Sequence, residues 1–370
     1  VQERDSAFVR TVFSAIMGRK PSDVELQEGL SRVNFGSGAV EYTLELSNTH
    51  EAGLLAAGLE SAPLFVPLGH YYSPIVDVSQ PSLLRHLQHQ EKTPLLDVNI
   101  DYSEMQKLFT SLSNRFTKIN FPFEADNDFR YYFHNDFYGY GDALVLSAML
   151  QHFLPKKVIE VGSGFSSAVI LDTIDKAGMT LSPICTFIEP HPHRLNSLLR
   201  ESDVDRVNII NSGIQAVDLS LFETLNANDI LFLDTTHVSR TGSDVNHEIF
   251  EILPRLKDGV IVHFHDAFAN FEYPYQWVVK DNRSWNELYL LRAFLMNNES
   301  YQILFFNDAF AKLFPERVLE ASPLMAKNAG GGLWMRKRSK TGSAQVAQNF
   351  AGKAAQLLRK LIGARTSLRK

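Results

Sequence analysis

Cysteine is almost absent: Cys185 stands alone in 370 residues. One thiol excludes an internal disulfide and a Cys-based zinc site. It lies inside the apolar run Ile184-Cys185-Thr186-Phe187-Ile188, which reads as core. No run of apolar residues approaches the roughly 18 needed for a membrane span. The chain opens Val-Gln-Glu-Arg, without a basic-then-apolar leader, so a cytoplasmic location is the expectation. Acidic residues are missing from one stretch. Residues 336–370 hold ten Lys and Arg and no Asp or Glu, although the whole chain has a formal charge of −6. An acidic body with a basic tail is a non-random layout. The remaining composition, 45% hydrophobic and 21% charged, is that of an ordinary globular protein.

What is present is organised around Lys157-Val158-Ile159-Glu160-Val161-Gly162-Ser163-Gly164-Phe165-Ser166-Ser167. Val158 to Val161 reads as a buried strand, Gly162 to Gly164 as a tight turn, and Ser166 onward as a helix. Such a break sets backbone N–H groups beside the strand's C-terminal edge, where open α/β sheets bind ligands. Downstream, strands are predicted at 157–161, 184–189, 207–211, 229–234, 259–265, 301–306 and 332–336. Helices are predicted at 166–177, 191–201, 215–224, 243–255 and 285–297. That alternation predicts an α/β fold with a doubly wound, mostly parallel sheet. The last two strands lack a long helix between them and are expected to pair antiparallel at one edge.

Four regions follow. Residues 1–55 read as a small helical module, with Phe8, Val12, Ala15 and Ile16 at helical spacing, a second helix from Pro21-Ser22-Asp23 and a third from Ala39. Residues 56–142 are an irregular and helical lead-in that covers the site. It has a helix over Leu83–His89 and another from Ser103, whose hydroxyl is expected to cap it. Residues 143–338 form the sheet domain, entered by a helix that Asp142 is expected to cap. Residues 339–370 are a basic linker and an amphipathic helix (Val346, Phe350, Leu357, Leu361). This tail suits a protein partner or an anionic membrane surface, and a membrane-adjacent location with it.

The later strands carry polar residues to the same edge. Glu189 ends the second strand, where a carboxylate can accept from a ribose diol. Asp234 and His237 end the fourth. His263, His265 and Asp266 end the fifth, with both histidines on one face. Carboxylates and imidazoles converging in this way can hold a divalent cation, and Asp234, His265 and Asp266 are the expected set. A dinucleotide site wants a third glycine where Ser167 stands. The turn therefore suits S-adenosylmethionine, which has no pyrophosphate, better than a nicotinamide cofactor.

These segments together resemble a class I S-adenosylmethionine-dependent methyltransferase, of the methyltransferase 24 type that includes macrolide-sugar O-methyltransferases. The resemblance rests on Glu160-Val-Gly-Ser-Gly-Phe-Ser-Ser, Phe-Ile-Glu189-Pro, Leu-Phe-Leu-Asp234-Thr-Thr-His237-Val and His-Phe-His265-Asp266. It is strengthened by Tyr138-Gly-Tyr-Gly-Asp142, Arg240-Thr-Gly-Ser-Asp244, Tyr273-Pro-Tyr-Gln-Trp277 and Trp285-Asn286-Glu287. It implies a seven-stranded Rossmann-like sheet with an antiparallel last strand, and O-methylation of a sugar or glycoconjugate hydroxyl. His237 would be the general base beside Asp234, with assistance from Mg2+ or another divalent cation. His265 stands where those relatives carry the first acid of a metal-binding pair. Cofactor candidates are Asp142, Glu160, Gly162, Ser163, Gly164, Ser166, Ser167, Glu189, Gln215 and Asp234. Aromatic residues with polar tips suit a carbohydrate acceptor, and Tyr71, Tyr138, Trp277 and Trp285 are the candidates. Residues 1–55 resemble a DUF4214-like helical module, a companion of surface-polysaccharide enzymes. No nucleic-acid partner is expected. The alternatives are a nicotinamide-dependent oxidoreductase and a non-catalytic scaffold in a surface-glycan assembly complex.

Overall fold

The computed structural model describes residues 2–17, 19–23, 25–26, 29–30, 66, 69–89, 98–178 and 183–338. The helix expected from Ala39 and the basic tail helix lie outside these residues. The chain divides into two compact units, Val1–Val76 and Asp77–Lys370.

The first unit contains the helix Gln2–Met17. Val9, Phe13 and Met17, one helical face at i, i+4 and i+8, form a small core with Leu26. The stripe read from the sequence flanks this face: Phe8, Val12 and Ile16 pack against its edge. The next helical stretch begins with a reciprocal cap. Glu25 N–H donates to Ser22 Oγ (3.3 Å), and Ser22 N–H donates to the Glu25 carboxylate (2.7 Å).

The second unit opens with helices Pro81–His89 and Tyr102–Ser113. The cap of the latter is Asp101, not Ser103: its Oδ1 accepts from Ser103 and Glu104 N–H, both at 3.0 Å. A carboxylate at the positive end of a helix outcompetes a hydroxyl already inside the first turn. The helix Tyr140–Phe153 also starts earlier than expected, with Gly139 at its N-cap. Asp142 is therefore inside the first turn and buried. The start is pinned by Gly141 N–H donating to Asn328 O at 2.9 Å. A side chain at Gly141 would meet Ala329 O at 2.2 Å, so only glycine fits there.

Seven strands follow: β1 Lys157–Val161, β2 Ile184–Ile188, β3 Val207–Ile210, β4 Ile230–Leu233, β5 Ile261–Phe264, β6 Tyr301–Phe306 and β7 Leu333–Lys337. They form one sheet in the order β3-β2-β1-β4-β5-β7-β6. Strands β1 to β5 are parallel, and β7 runs antiparallel to both β5 and β6. This is the doubly wound Rossmann-like sheet the sequence predicts. The strand order reverses between β1 and β4, the switch point at which such sheets bind ligands.

One connection differs from expectation. Residues 215–224 are not one helix but a 3-10 turn, Ile214–Ala216, and a short helix, Ser220–Glu223. Asp218 intervenes, its carboxylate accepting from Ser220 N–H at 2.8 Å. Between β6 and β7 lie three short helices, Asn307–Leu313, Pro315–Ala321 and Pro323–Lys327. Pro315 and Pro323 each start a helix and prevent one continuous run. The long helix after β4 has the expected span but carries a π turn, Glu248–Ile252.

Candidate active site

Gly162 is the hinge of the site. Its φ is +79°, and a Cβ there would lie 1.6 Å from Asp234 O. Glycine is thus required twice, for the left-handed backbone and for the close approach of β1 to β4. The main chain ties four strand ends together. Gly162 N–H donates to Ile188 O (3.0 Å), Asp234 N–H to Val161 O (2.9 Å) and His265 N–H to Leu233 O (2.9 Å). The edge where the glycine turn, Glu189, Asp234 and His265 emerge is consequently continuous.

A cleft opens beside the turn, lined by Phe137, Tyr138, Gly162 to Ser166, Glu189, Arg194, Asp234 and Thr235. The Glu189 carboxylate accepts from Ser163 N–H (3.1 Å) and His191 N–H (2.8 Å). Ser167 is fully buried and uses its hydroxyl locally. It donates to Glu160 Oε2 and accepts from Gly164 N–H (3.0 Å). Serine at the position of a third glycine therefore shapes the turn from beneath. Burial, reinforced by Asp234, pushes the Glu160 carboxyl up to about 8, against hydrogen bonds from the turn's serines. Two other expected cofactor residues lie elsewhere. Asp142 sits between Asn307 Nδ2 (3.4 Å) and His265 Nε2 (3.7 Å). Gln215 is exposed on its 3-10 turn and donates to Gly242 O at 3.0 Å.

The chemistry-bearing cluster adjoins the cleft through Asp234. Nε2 of His237 lies 3.4 Å from Asp234 Oδ1 and 3.4 Å from Asp266 Oδ2, while Nδ1 lies 2.8 Å from Glu287 Oε2. His265 Nδ1 is 3.4 Å from the same two aspartates. His237 and Asp266 both have positive φ, 58° and 53°. Left-handed backbone at two non-glycine residues of one cluster is the kind of local strain that collects at functional sites. The turn at His237 is held by its carbonyl, which accepts from Asn286 and Glu287 N–H at 3.0 and 3.1 Å.

Asp234, His237 and Asp266 have ligand atoms within 4.8 Å of one another. The expected cation set named His265 in place of His237. The positive φ at His237 brings its imidazole back onto the two aspartates, and His265 reaches them from the buried side. Burial disfavours the charged imidazole of His237, but Asp234, Glu287 and Asp266 outweigh it and hold its pKa at about 10. The three carboxylates thus favour the charged form of the His237 imidazole. Asp234 is driven the other way; burial raises it, and the facing imidazoles of His265 and His237 more than reverse this.

Glu287 is the site residue that sequence reasoning missed as a participant. It opens the helix Glu287–Leu295, fifty residues from its histidine, and no local spacing links the two. Its one signal is its place directly after Trp285-Asn286. Arg194 was also missed: its guanidinium lies 3.6 Å over the Phe137 ring, at the rim of the cleft. Among the acceptor candidates, Tyr138 is buried and stacks on His265 (5.1 Å, 25°). Trp285 packs on His237 (4.4 Å) and Trp277 packs edge-on against Trp285 (5.3 Å, 78°). Tyr71 belongs to the first unit and is 81% exposed.

No described helix is long and apolar enough to cross a membrane. A protein of Archaeoglobus fulgidus described as uncharacterized is 29% identical over 170 residues, covering 44% of this chain and 75% of that protein. Among solved structures, the SAH-bound methyltransferase PaMTH1 of Podospora anserina has a TM-score of 0.36 at 14% identity, over 75% of this chain and 100% of that one. The cofactor-bound Rv0187 from MTB has a TM-score of 0.33 at 11% identity, over 65% and 92% of the two chains. Likeness at this level says nothing about substrate. Residues 159–267, which run from β1 past the end of β5 and carry the glycine turn, Glu189, Asp234, His237 and Asp266, match the family model described as a methyltransferase domain.

Proposed function

We propose that this protein methylates a hydroxyl of a sugar or glycoconjugate, using S-adenosylmethionine. The observation that carries the reading is the junction at Gly162. There a cleft with a carboxylate at its far strand, Glu189, meets a histidine–carboxylate cluster through the shared residue Asp234.

The donor set fits the cofactor. Glu189 offers acceptors for a ribose diol. The opening of the helix Phe165–Lys176 offers backbone donors for a carboxylate. Acidic lining by Glu189 and Asp234 suits the cofactor's cationic centres. Bound S-adenosylmethionine supplies a methyl group activated by its sulfonium: transfer breaks the S–C bond, forms a C–O bond, leaves a thioether and releases the hydroxyl proton.

That proton needs an acceptor, and Nε2 of His237 is the one available atom of an imidazole whose Nδ1 is held by Glu287. Base action requires that Asp234 and Asp266 be compensated, because their pull keeps the imidazole charged. The two carboxylates would hold a divalent cation, which supplies that compensation and polarises the acceptor oxygen. Separations of 3.4 Å between His237 Nε2 and each carboxylate are long for charge-assisted hydrogen bonds, so neither aspartate engages Nε2 tightly. Trp285, which packs on His237, and Trp277, which packs on Trp285, are the aromatic residues that would border a carbohydrate acceptor.

The test is methyl transfer from labelled cofactor to a glycan panel, with and without Mg2+ and after chelation. Turnover is expected in the metal-replete enzyme and is expected to be lost in His237→Ala, which still binds cofactor. Unchanged turnover in His237→Ala would remove that residue from the mechanism.

A further inference from the structure

Arg283 is built into the aromatic pair Trp277 and Trp285, and the reading above gives it no part. Asn282, with φ 53°, turns the chain so that Arg283 N–H donates to Trp277 O at 2.9 Å. The guanidinium then lies over both indoles, 4.4 Å from the Trp277 ring centre and 4.7 Å from that of Trp285. Phe268 packs edge-on behind Trp277 at 5.1 Å. Arg283 and both tryptophans are only half-buried. Trp285 lies between the guanidinium and the imidazole of His237, touching each.

A guanidinium held against two indoles keeps N–H donors suited to a carboxylate or phosphate, and the rings limit its freedom. Among the described residues, its carboxylate contact is the half-exposed Asp281, at 3.4 Å from one terminal nitrogen. An incoming anion with bidentate geometry would compete well against a contact of that length. The charge pattern around Arg283 is mixed. The floor beside it is acidic, with Asp234, Asp266 and Glu287 around His237. Arg283, one indole away, carries the opposite charge.

We infer that the acceptor is an anionic saccharide, with its negative group on the Arg283 guanidinium and its reactive hydroxyl toward His237. This deepens the reading above and rests on it. The shared chemistry is a carboxylate or phosphate within one sugar unit of the methylated hydroxyl.

The full chain loaded with S-adenosylhomocysteine is titrated with three probes: methyl glucoside, methyl glucuronoside and glucose 1-phosphate. Tryptophan fluorescence is the readout, since the third tryptophan, Trp334, is 1% exposed in the core. One or both anionic probes are expected to bind at least about tenfold more tightly than the neutral one. Which of the two wins distinguishes a uronic acid from a sugar phosphate. Arg283→Gln is expected to erase the preference, and Arg283→Lys to keep part of it. Equal binding of all three probes, no response to any, or a preference that survives Arg283→Gln overturns the inference. Homocysteine-product binding is measured separately by calorimetry. Its loss in the wild type sinks the cofactor reading, while its presence without anion preference sinks only the role of Arg283.

Discussion

Replacing Gly162 by alanine tests how the two halves of the site are joined. Two costs are expected. The first is backbone strain: an L-residue at φ +79° costs about 1–2 kcal/mol. The second is contact. A Cβ 1.6 Å from Asp234 O cannot be accommodated by a side-chain shift, because the atom it meets is main chain. Strands β1 and β4 must part at their C-terminal ends. That puts at risk the bonds from Gly162 N–H to Ile188 O and from Asp234 N–H to Val161 O. At about 1 kcal/mol each, the combined loss is roughly 3–4 kcal/mol. Gly242 is the control: its φ is +73°, and a Cβ there meets nothing within 4 Å. Gly242→Ala should show the strain alone, offset in part by about 0.4–1 kcal/mol from a stiffer unfolded chain. Urea unfolding of both variants, followed by far-UV circular dichroism, gives the comparison. Cofactor-product calorimetry should show Gly162→Ala without binding even where it remains folded. If the two variants were equally stable, or Gly162→Ala bound normally, the close junction of turn and Asp234 would be refuted.

Other expectations follow from the same geometry. Glu287→Gln removes the charge that orients His237, and should lower turnover by at least about tenfold without changing cofactor affinity, read as kcat against calorimetric Kd. Arg130 is buried among Asp172 (2.8 Å), Asp203 (2.6 Å) and Asp175 (2.9 Å), so Arg130→Met strands buried carboxylates. It should cost about 3–5 kcal/mol in urea unfolding. Glu25, hydrogen-bonded to Arg19 and to Ser22, is lowered from 4.5 to about 2. A depressed carboxylate stabilises above its unfolded value and loses that contribution as pH falls through the folded one. The first unit's helices should therefore weaken between pH 4.5 and about 2, by well under 1 kcal/mol because the pair is half-exposed, and Glu25→Gln should remove the dependence. Circular dichroism of the two proteins across that window checks it.

The sheet was legible because its strands are short, apolar and bounded by glycine, proline and acids. The period-two alternation in β5 placed His263 and His265 on one face, and their rings are 5.9 Å apart. Local chemistry that depends on competition was read less well. Asp101 rather than Ser103 caps its helix, and Gly139 and the buried Gly141 rather than Asp142 set the start of another. The edge residues Glu189, Asp234, His237 and Asp266 were legible because each ends a strand or follows it closely. Glu287 was not, since it reaches His237 only through a turn held by the His237 carbonyl. Protonation was the least visible property. A histidine's spacing says nothing of how many carboxylates will face it, and three face His237.

The central claim is that the edge formed by Gly162 and Glu189 binds S-adenosylmethionine. Its most direct test is a calorimetric titration of the full chain with S-adenosylhomocysteine, in the wild type and in Glu189→Ala. The wild type should saturate at one site per chain, and Glu189→Ala should bind at least about tenfold more weakly, the loss of a charged acceptor for two hydroxyl donors. Absence of binding in the wild type, or equal affinity in the two proteins, would contradict the account.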